Sequence, residues 1–179
     1  MNIMHSSRSD KWFTPVHIIA KVQQVLGHVD CDPASERDAN LRIGATRYLT
    51  ADGELPESVW LLNEGTVYLN PPGNKIGNKS LTGLFWKRMM QERDSGLLTH
   101  GIFMCFSIEA LQSTQKPGQQ SIGEFPFCVP SKRIKFDDPN DHSKQSPSHS
   151  NAIVYVPGMM DKRDLFAEVF RSEGVVIGV

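Results

Sequence analysis

The segment Gly65-Thr-Val-Tyr-Leu-Asn-Pro-Pro-Gly73 sets a hydrogen-bonding side chain at the abrupt end of an apolar, β-branched run. Thr66 to Leu69 has the composition of a strand. Pro71 has no N–H and a fixed φ, so a strand ladder stops there. Each proline also holds the residue before it extended. The expected result is a stiff turn at the carboxyl end of a strand, displaying the amide of Asn70 and the carbonyl of Pro71, with Pro72 as the rigid hinge. In open α/β sheets, ligands bind at that end of the strands. Asn-Pro also opens ordinary turns, so the tetrapeptide alone fits chain punctuation and chemistry alike. A second polar pair lies upstream. Asp30 and Asp32 alternate in His28-Val-Asp-Cys-Asp-Pro33 and would share a strand face, as solvated strand-end carboxylates or as joint ligands of a bound molecule.

The elements that must position these groups follow from hydrophobic spacing. In Val16 to Leu26, residues Val16, Ile19, Ala20, Val22 and Leu26 recur at helical spacing. Thr14 and Pro15 are the residue types of an N-cap and a first turn, and Gly27 suits the helix end. His28 to Asp32 predicts a strand stopped by Pro33. Ala34 to Arg47 is polar and poorly periodic. Tyr48 to Thr50 is a short extended piece before the turn signature Ala51-Asp-Gly-Glu54. Val59 to Leu62 is apolar, in a helix or a buried segment. Asn74 to Thr82, rich in Gly, Asn, Lys and Ser, predicts a loop. Leu81 to Glu92 predicts a helix. Gly101 to Phe106 has the continuous apolar character of a strand covered on both faces. A helix over Ser107 to Gln115 follows, then short strands at Phe125 to Pro130 and Arg133 to Phe136. Asp137 to Ser150 is a long polar loop. A strand over Ala152 to Val156, an amphipathic helix over Asp161 to Arg171 and a last strand over Val175 to Val179 complete the chain. Strands alternating with helices, then hairpin-like strands, predict an α/β fold with a mixed sheet, Rossmann-like with an antiparallel C-terminal part.

Composition bounds the possibilities. The 179 residues suffice for one domain with a real core; the expected division is a flexible arm over 1–11 and a single domain over 12–179. A net charge of −1 provides no global basic field for nucleic acid, though a local basic patch is compatible with it. No apolar run is long enough to span a membrane, and the polar first ten residues lack a signal-like apolar core, so a cytoplasmic location is expected. Cys31, Cys105 and Cys128 sit beside apolar residues, as buried free thiols do. No Cys/His spacing matches a zinc site.

Several pieces in this order give the chain a wider pattern: Asp10-Lys-Trp-Phe-Thr-Pro15, Val29-Asp-Cys-Asp-Pro-Ala-Ser35, Ala51-Asp-Gly53, Tyr68-Leu-Asn-Pro-Pro72, Phe106-Ser-Ile-Glu-Ala-Leu-Gln112, Pro130-Ser-Lys-Arg-Ile-Lys-Phe136, and Ser146-Pro147 followed by Asn151-Ala152. From Trp12 to about Gly158 the chain resembles the phage-type DNA adenine-N6 methyltransferases. The resemblance implies the methyltransferase version of the Rossmann sheet, with S-adenosylmethionine as methyl donor and a phage or prophage origin. By resemblance, Trp12, Phe13, Thr14 and Pro15 belong to the opening donor-binding segment. Asp30, Asp32, Pro33 and Ala34 stand where a strand-end motif cradles the methionine part of the donor, and Asp52 where an acidic residue contacts the adenosine. Asn70, Pro71 and Pro72 stand in the catalytic Asn/Asp-Pro-Pro-aromatic motif. The chain departs from the pattern twice. No Gly-x-Gly-x-x-Gly loop follows the Asp32 strand, and Gly73 occupies the aromatic position whose ring stacks on the extruded base.

The implied chemistry is positioning. Adenine's exocyclic amine is a poor nucleophile because its lone pair is delocalised. Two acceptors, the Asn70 amide oxygen and the Pro71 carbonyl, would bind its hydrogens and aim the lone pair at the donor's methyl group. The sulfonium donor is already activated, so no metal is required. In duplex DNA the base must be extruded while phosphate contacts hold the backbone. Candidate contacts are Lys75, Lys79, Lys132, Arg133 and Lys135, each of which could equally be a solvated surface charge. Phe85 and Trp86 could replace the ring missing at Gly73, or belong to the helix core. Other acceptors (RNA, a modified base, a protein amide) and a non-catalytic nucleic-acid-binding relative remain open on the sequence alone.

Overall fold

The computed structural model describes residues 12–50, 58–73, 75–76, 79–105, 107, 109–115, 117–138 and 150–179. Its main sheet has seven strands: β1 (Cys31–Ser35), β2 (Arg47–Thr50), β3 (Gly65–Leu69), β6 (Leu98–Cys105), β7 (Phe127–Pro130), β8 (Ala152–Pro157) and β9 (Gly174–Ile177). They lie in the order β2-β1-β3-β6-β8-β7-β9. The first four in that order run parallel, whereas β8 pairs antiparallel with both β6 and β7, and β9 antiparallel with β7. The fold is therefore α/β with a mixed sheet, Rossmann-like in its parallel half and antiparallel towards the C-terminus. No helix among the described residues is long and apolar enough to cross a membrane.

Two apolar layers sandwich this sheet, and strand periodicity assigns each side chain to one of them. On one face Tyr68, Ile102, Met104, Ile153 and Tyr155 meet helices α1 (Val16–Leu26) and α5 (Arg163–Phe170). On the other Val67, Leu69, Phe103, Cys105, Val154 and Val156 meet α3 (Leu81–Asp94). All five residues of β3 are buried as a result, as expected of a parallel strand covered on both sides. Phe85 and Trp86 belong to the second layer, with Trp86 edge-on to Phe103 and Phe125 and its Nε1 donating to the Gln120 carbonyl. They are helix core, so neither supplies the ring missing at Gly73. All three cysteines are buried free thiols.

Several sequence expectations need correction. The strand at Asp32 does not stop at Pro33 but runs through it to Ser35. Proline's missing N–H instead breaks the ladder. The β1–β2 register shifts between Asp32 and Ser35, and β1 pairs with β3 only at Cys31↔Val67. Residues 37–43, read as aperiodic, form the short helix α2 (Arg37–Ile43), closed by Gly44 in the left-handed region at φ 69°. In α1 the buried set is Ile18, Ile19, Val22, Val25 and Leu26; Val16 and Ala20 face solvent. The segment expected as a loop contains a small antiparallel pair, β4 (Lys75–Ile76) with β5 (Lys79–Ser80). Residues 133–136 join no ladder. They keep strand-like alternation, with Ile134 and Phe136 buried and Arg133 and Lys135 exposed, and end in a single bridge between Asp137 and Phe13. The short helix α4 (Glu109–Ser113) and a 3-10 turn (Ile122–Glu124) are the remaining described elements.

Candidate active site

The chain leaves β1 to one side, towards β2, and returns to β3 on the other. A parallel sheet has a crevice at the carboxyl ends of two strands that diverge in this way. Pro33 widens it by ending the β1–β3 pairing after one residue pair. The crevice here is an open cleft, and sites for small molecules are found at such switch points. Three pieces of chain build its walls. The first is Trp12, Phe13 and Thr14; the second runs from Asp32, Ala34, Ser35 and Glu36 to Ala39 and Ile43; the third is Asn70, Pro71, Pro72 and Gly73. Phe136 closes one side.

Asn70 is held from behind. Its Nδ2 donates to the Trp12 carbonyl at 3.2 Å and to Thr14 Oγ1 at 3.3 Å. A carbonyl oxygen can only accept, so the Trp12 contact fixes which end of the amide is nitrogen. The acceptor Oδ1 is the part of the side chain left to serve the cleft. Thr14 was expected to cap α1, but the cap position falls to Pro15 and the helix has no side-chain cap. The buried Thr14 hydroxyl instead shares a 2.6 Å hydrogen bond with the buried Tyr68 hydroxyl. Tyr68 can reach it because residue 68 of β3 points to the α1 face.

Asp32 is 1 % exposed. It accepts from the Ala34 N–H at 3.2 Å. Burial outweighs the lowering influence of this bond and of the nearby Ser35 hydroxyl and pushes its carboxyl up to about 7. With Glu36 it gives the described lining two carboxylates and no lysine, arginine or histidine. Such a cleft disfavours phosphate and suits a cationic ligand.

The Trp12–Thr14 wall is fastened on its other side as well. Phe13 and Asp137 exchange backbone hydrogen bonds at 2.9 Å. Arg42 pairs with the Asp137 carboxylate while its guanidinium lies 5.1 Å from the centre of the Phe13 ring.

Comparison with protein-family models, with curated proteins and with solved structures finds no match.

Of the residues singled out by sequence, the cleft brings together Trp12, Phe13, Thr14, Asp32, Ala34, Asn70, Pro71 and Pro72. Pro15 and Pro33 are buried in the adjoining backbone and do not line it. Asp30 is not brought there. Its Oδ2 accepts from the Thr66 N–H at 2.8 Å and the Thr66 hydroxyl at 3.0 Å, joining the amino ends of the two strands. Lys132, Arg133 and Lys135 are exposed on the stretch that leads into Phe136. Lys75 and Lys79 have their backbone in the β4–β5 pair that follows the turn. Asp52 and the Ser146-Pro147 piece lie outside the described residues. Sequence reasoning missed Ser35, Glu36, Ala39, Ile43 and Phe136 as lining residues. For Phe136 the alternation Ile134-Lys-Phe136 carried a signal; for Glu36 to Ile43 the unrecognised helix removed it.

Proposed function

We propose that this chain is an S-adenosylmethionine-dependent methyltransferase acting on the N6 amine of adenine in DNA. The observation that carries the reading is the convergence in one cleft of Asn70-Pro71-Pro72, the Trp12–Thr14 segment and a buried carboxyl at Asp32. A donor bearing a sulfonium and an ammonium group suits an acidic cleft at the switch point of the sheet, where a phosphate-bearing cofactor would be repelled. When bound, that donor supplies an activated methyl group. The chain's own task is then to place the accepting amine. Asn70 Oδ1 and the Pro71 carbonyl present two acceptors from a turn stiffened by consecutive prolines. Holding the amine's hydrogens localises its lone pair and fixes its direction, which is catalysis by orientation and preorganised electrostatics. The exposed Lys132, Arg133 and Lys135 flank the wall closed by Phe136 and are suited to backbone phosphates.

The test is to incubate the chain with labelled donor and unmodified DNA, with RNA and protein extract as competitors, and to identify the product by mass spectrometry. N6-methyladenine in DNA is the expected product; label in RNA or protein alone would reassign the acceptor. Asn70→Ala should lower transfer by about 10²- to 10³-fold and leave donor affinity intact. Normal turnover by that variant would refute the role given to Asn70.

A further inference from the structure

An asparagine amide is nearly symmetrical in shape, so a half-turn about χ2 exchanges acceptor for donor without a change in bulk. At position 70 that exchange would matter. A flipped amide would present N–H groups to an amine that itself donates. We infer that Thr14 and Tyr68 are positioning residues for Asn70, their hydroxyls forming a buried chain that keeps the amide from turning. The catalytic consequence rests on the methyltransferase reading above; the lock itself does not.

Three observations support it. The two acceptors on Nδ2 come from residues two apart in one segment, the Trp12 carbonyl and Thr14 Oγ1. The carbonyl rejects a flipped amide, because two oxygens would then face each other with no proton between them. Thr14 holds the second N–H, and a β-branched side chain has few χ1 states. Tyr68 selects among them: its hydroxyl lies 2.6 Å from Thr14 Oγ1 with both side chains buried. Finally, the Thr14 hydroxyl makes no capping bond to the helix it precedes, the use favoured for a threonine at a helix start. It is committed to the Asn70 side instead. Tyr68 and Asn70 belong to one strand and its turn, whereas Thr14 belongs to another segment, so the chain also registers the Trp12–Thr14 wall against the catalytic turn.

The test uses Thr14→Val, Thr14→Ser and Tyr68→Phe in the full chain. Exchange of the Asn70 side-chain amide protons, followed by NMR on ¹⁵N-labelled protein with nothing added, should be slow in the parent chain and in Thr14→Ser. It should speed up in Thr14→Val and Tyr68→Phe. Methyl transfer should follow the same order. Thr14→Val should lower kcat by about 10- to 100-fold, with Tyr68→Phe lower in the same direction. The double variant should be no worse than Thr14→Val alone, since both act through one chain. Thr14→Ser should recover most of the loss. Unaltered amide exchange in Thr14→Val would overturn the lock, and so would a raised donor Kd with kcat unchanged. If the parent chain methylates no acceptor, the methyltransferase reading fails while the exchange experiment still decides the lock.

Discussion

Burial pushes the Asp32 carboxyl up to about 7, and no cation among the described residues offsets the desolvation of its charge. On the proposed reading, a cationic donor bound beside it would favour the carboxylate and expel the proton. Donor affinity should therefore rise with pH up to about 7 and level off above it. Well below 7 the limiting slope is about tenfold per pH unit for one proton displaced. Calorimetry in buffers of different ionisation enthalpy reads that proton directly at pH 6. Asp32→Asn should abolish the Asp32-linked slope and weaken binding most at pH 8, where the parent carboxylate is charged. A pH profile identical in the variant would show that Asp32 does not meet the donor's charge. Thr14 shows the limit of local rules at this scale. Its sequence context predicts a cap, and only the tertiary partner Tyr68, 54 residues away, reveals where the hydroxyl goes.

At the scale of elements, legibility followed local completeness. The β3 turn, β6, β8 and α3 were legible because their apolar runs or periodic faces lie within single short windows. Asn70, Pro71 and Pro72 could be placed at the carboxyl end of a strand for the same reason. Three failures have different causes. Helix α2 buries only Ile43 and has no side-chain cap, so seven residues carried almost no periodic signal. Strand β1 runs through Pro33 because the ladder gives way on both sides of it, the register shifting against β2 and the pairing with β3 ending at Cys31, which only the paired strands reveal. Residues 133–136 alternate like a strand yet join no ladder; their buried side faces the core and the cleft while Phe13 takes the bridge at Asp137. The junction after β8 was legible only as a turn, although it is a close contact. A Cβ on Gly158 would lie 1.9 Å from the Leu98 carbonyl oxygen, a backbone atom with no rotamer to yield. Gly158→Ala should cost about 1 to 3 kcal/mol by forcing β8 away from the start of β6. A lowered denaturant midpoint with unchanged donor Kd is the expected outcome, because the contact lies at the end of β6 opposite the cleft. A midpoint equal to the parent's would show that the β6–β8 end relaxes without cost.

For the whole molecule, the buried groups Asp32 and His100 contribute opposite pH dependences to stability. His100, 1 % exposed beside the Tyr155 ring, has no hydrogen-bond partner for Nδ1 among the described residues. Burial first, and the Lys162 charge second, lower its pKa from 6.5 to about 4. Its contribution is fully present above about 6.5 and is lost as pH falls through 4, since the unfolded chain takes up the proton first. Asp32 has the opposite sign. Its folded value, about 7, lies above the ordinary 3.8, so its contribution is fully present below about 3.8 and is lost as pH rises through 7. Between about pH 4 and 6.5 the folded chain holds one proton more at Asp32 and one fewer at His100. The two slopes, each at most about 1.4 kcal/mol per pH unit, cancel. The parent chain should therefore show little dependence on pH from these groups in that window, and each single variant should expose the other group. In urea unfolding at pH 4.5, 5.5 and 6.5, Asp32→Asn should become more stable with rising pH and His100→Gln less stable. At pH 8 Asp32→Asn should also exceed the parent in stability, because the substitution removes a buried charge that only a bound cation would compensate. Parallel profiles for all three chains would refute the assignment of these protons to Asp32 and His100.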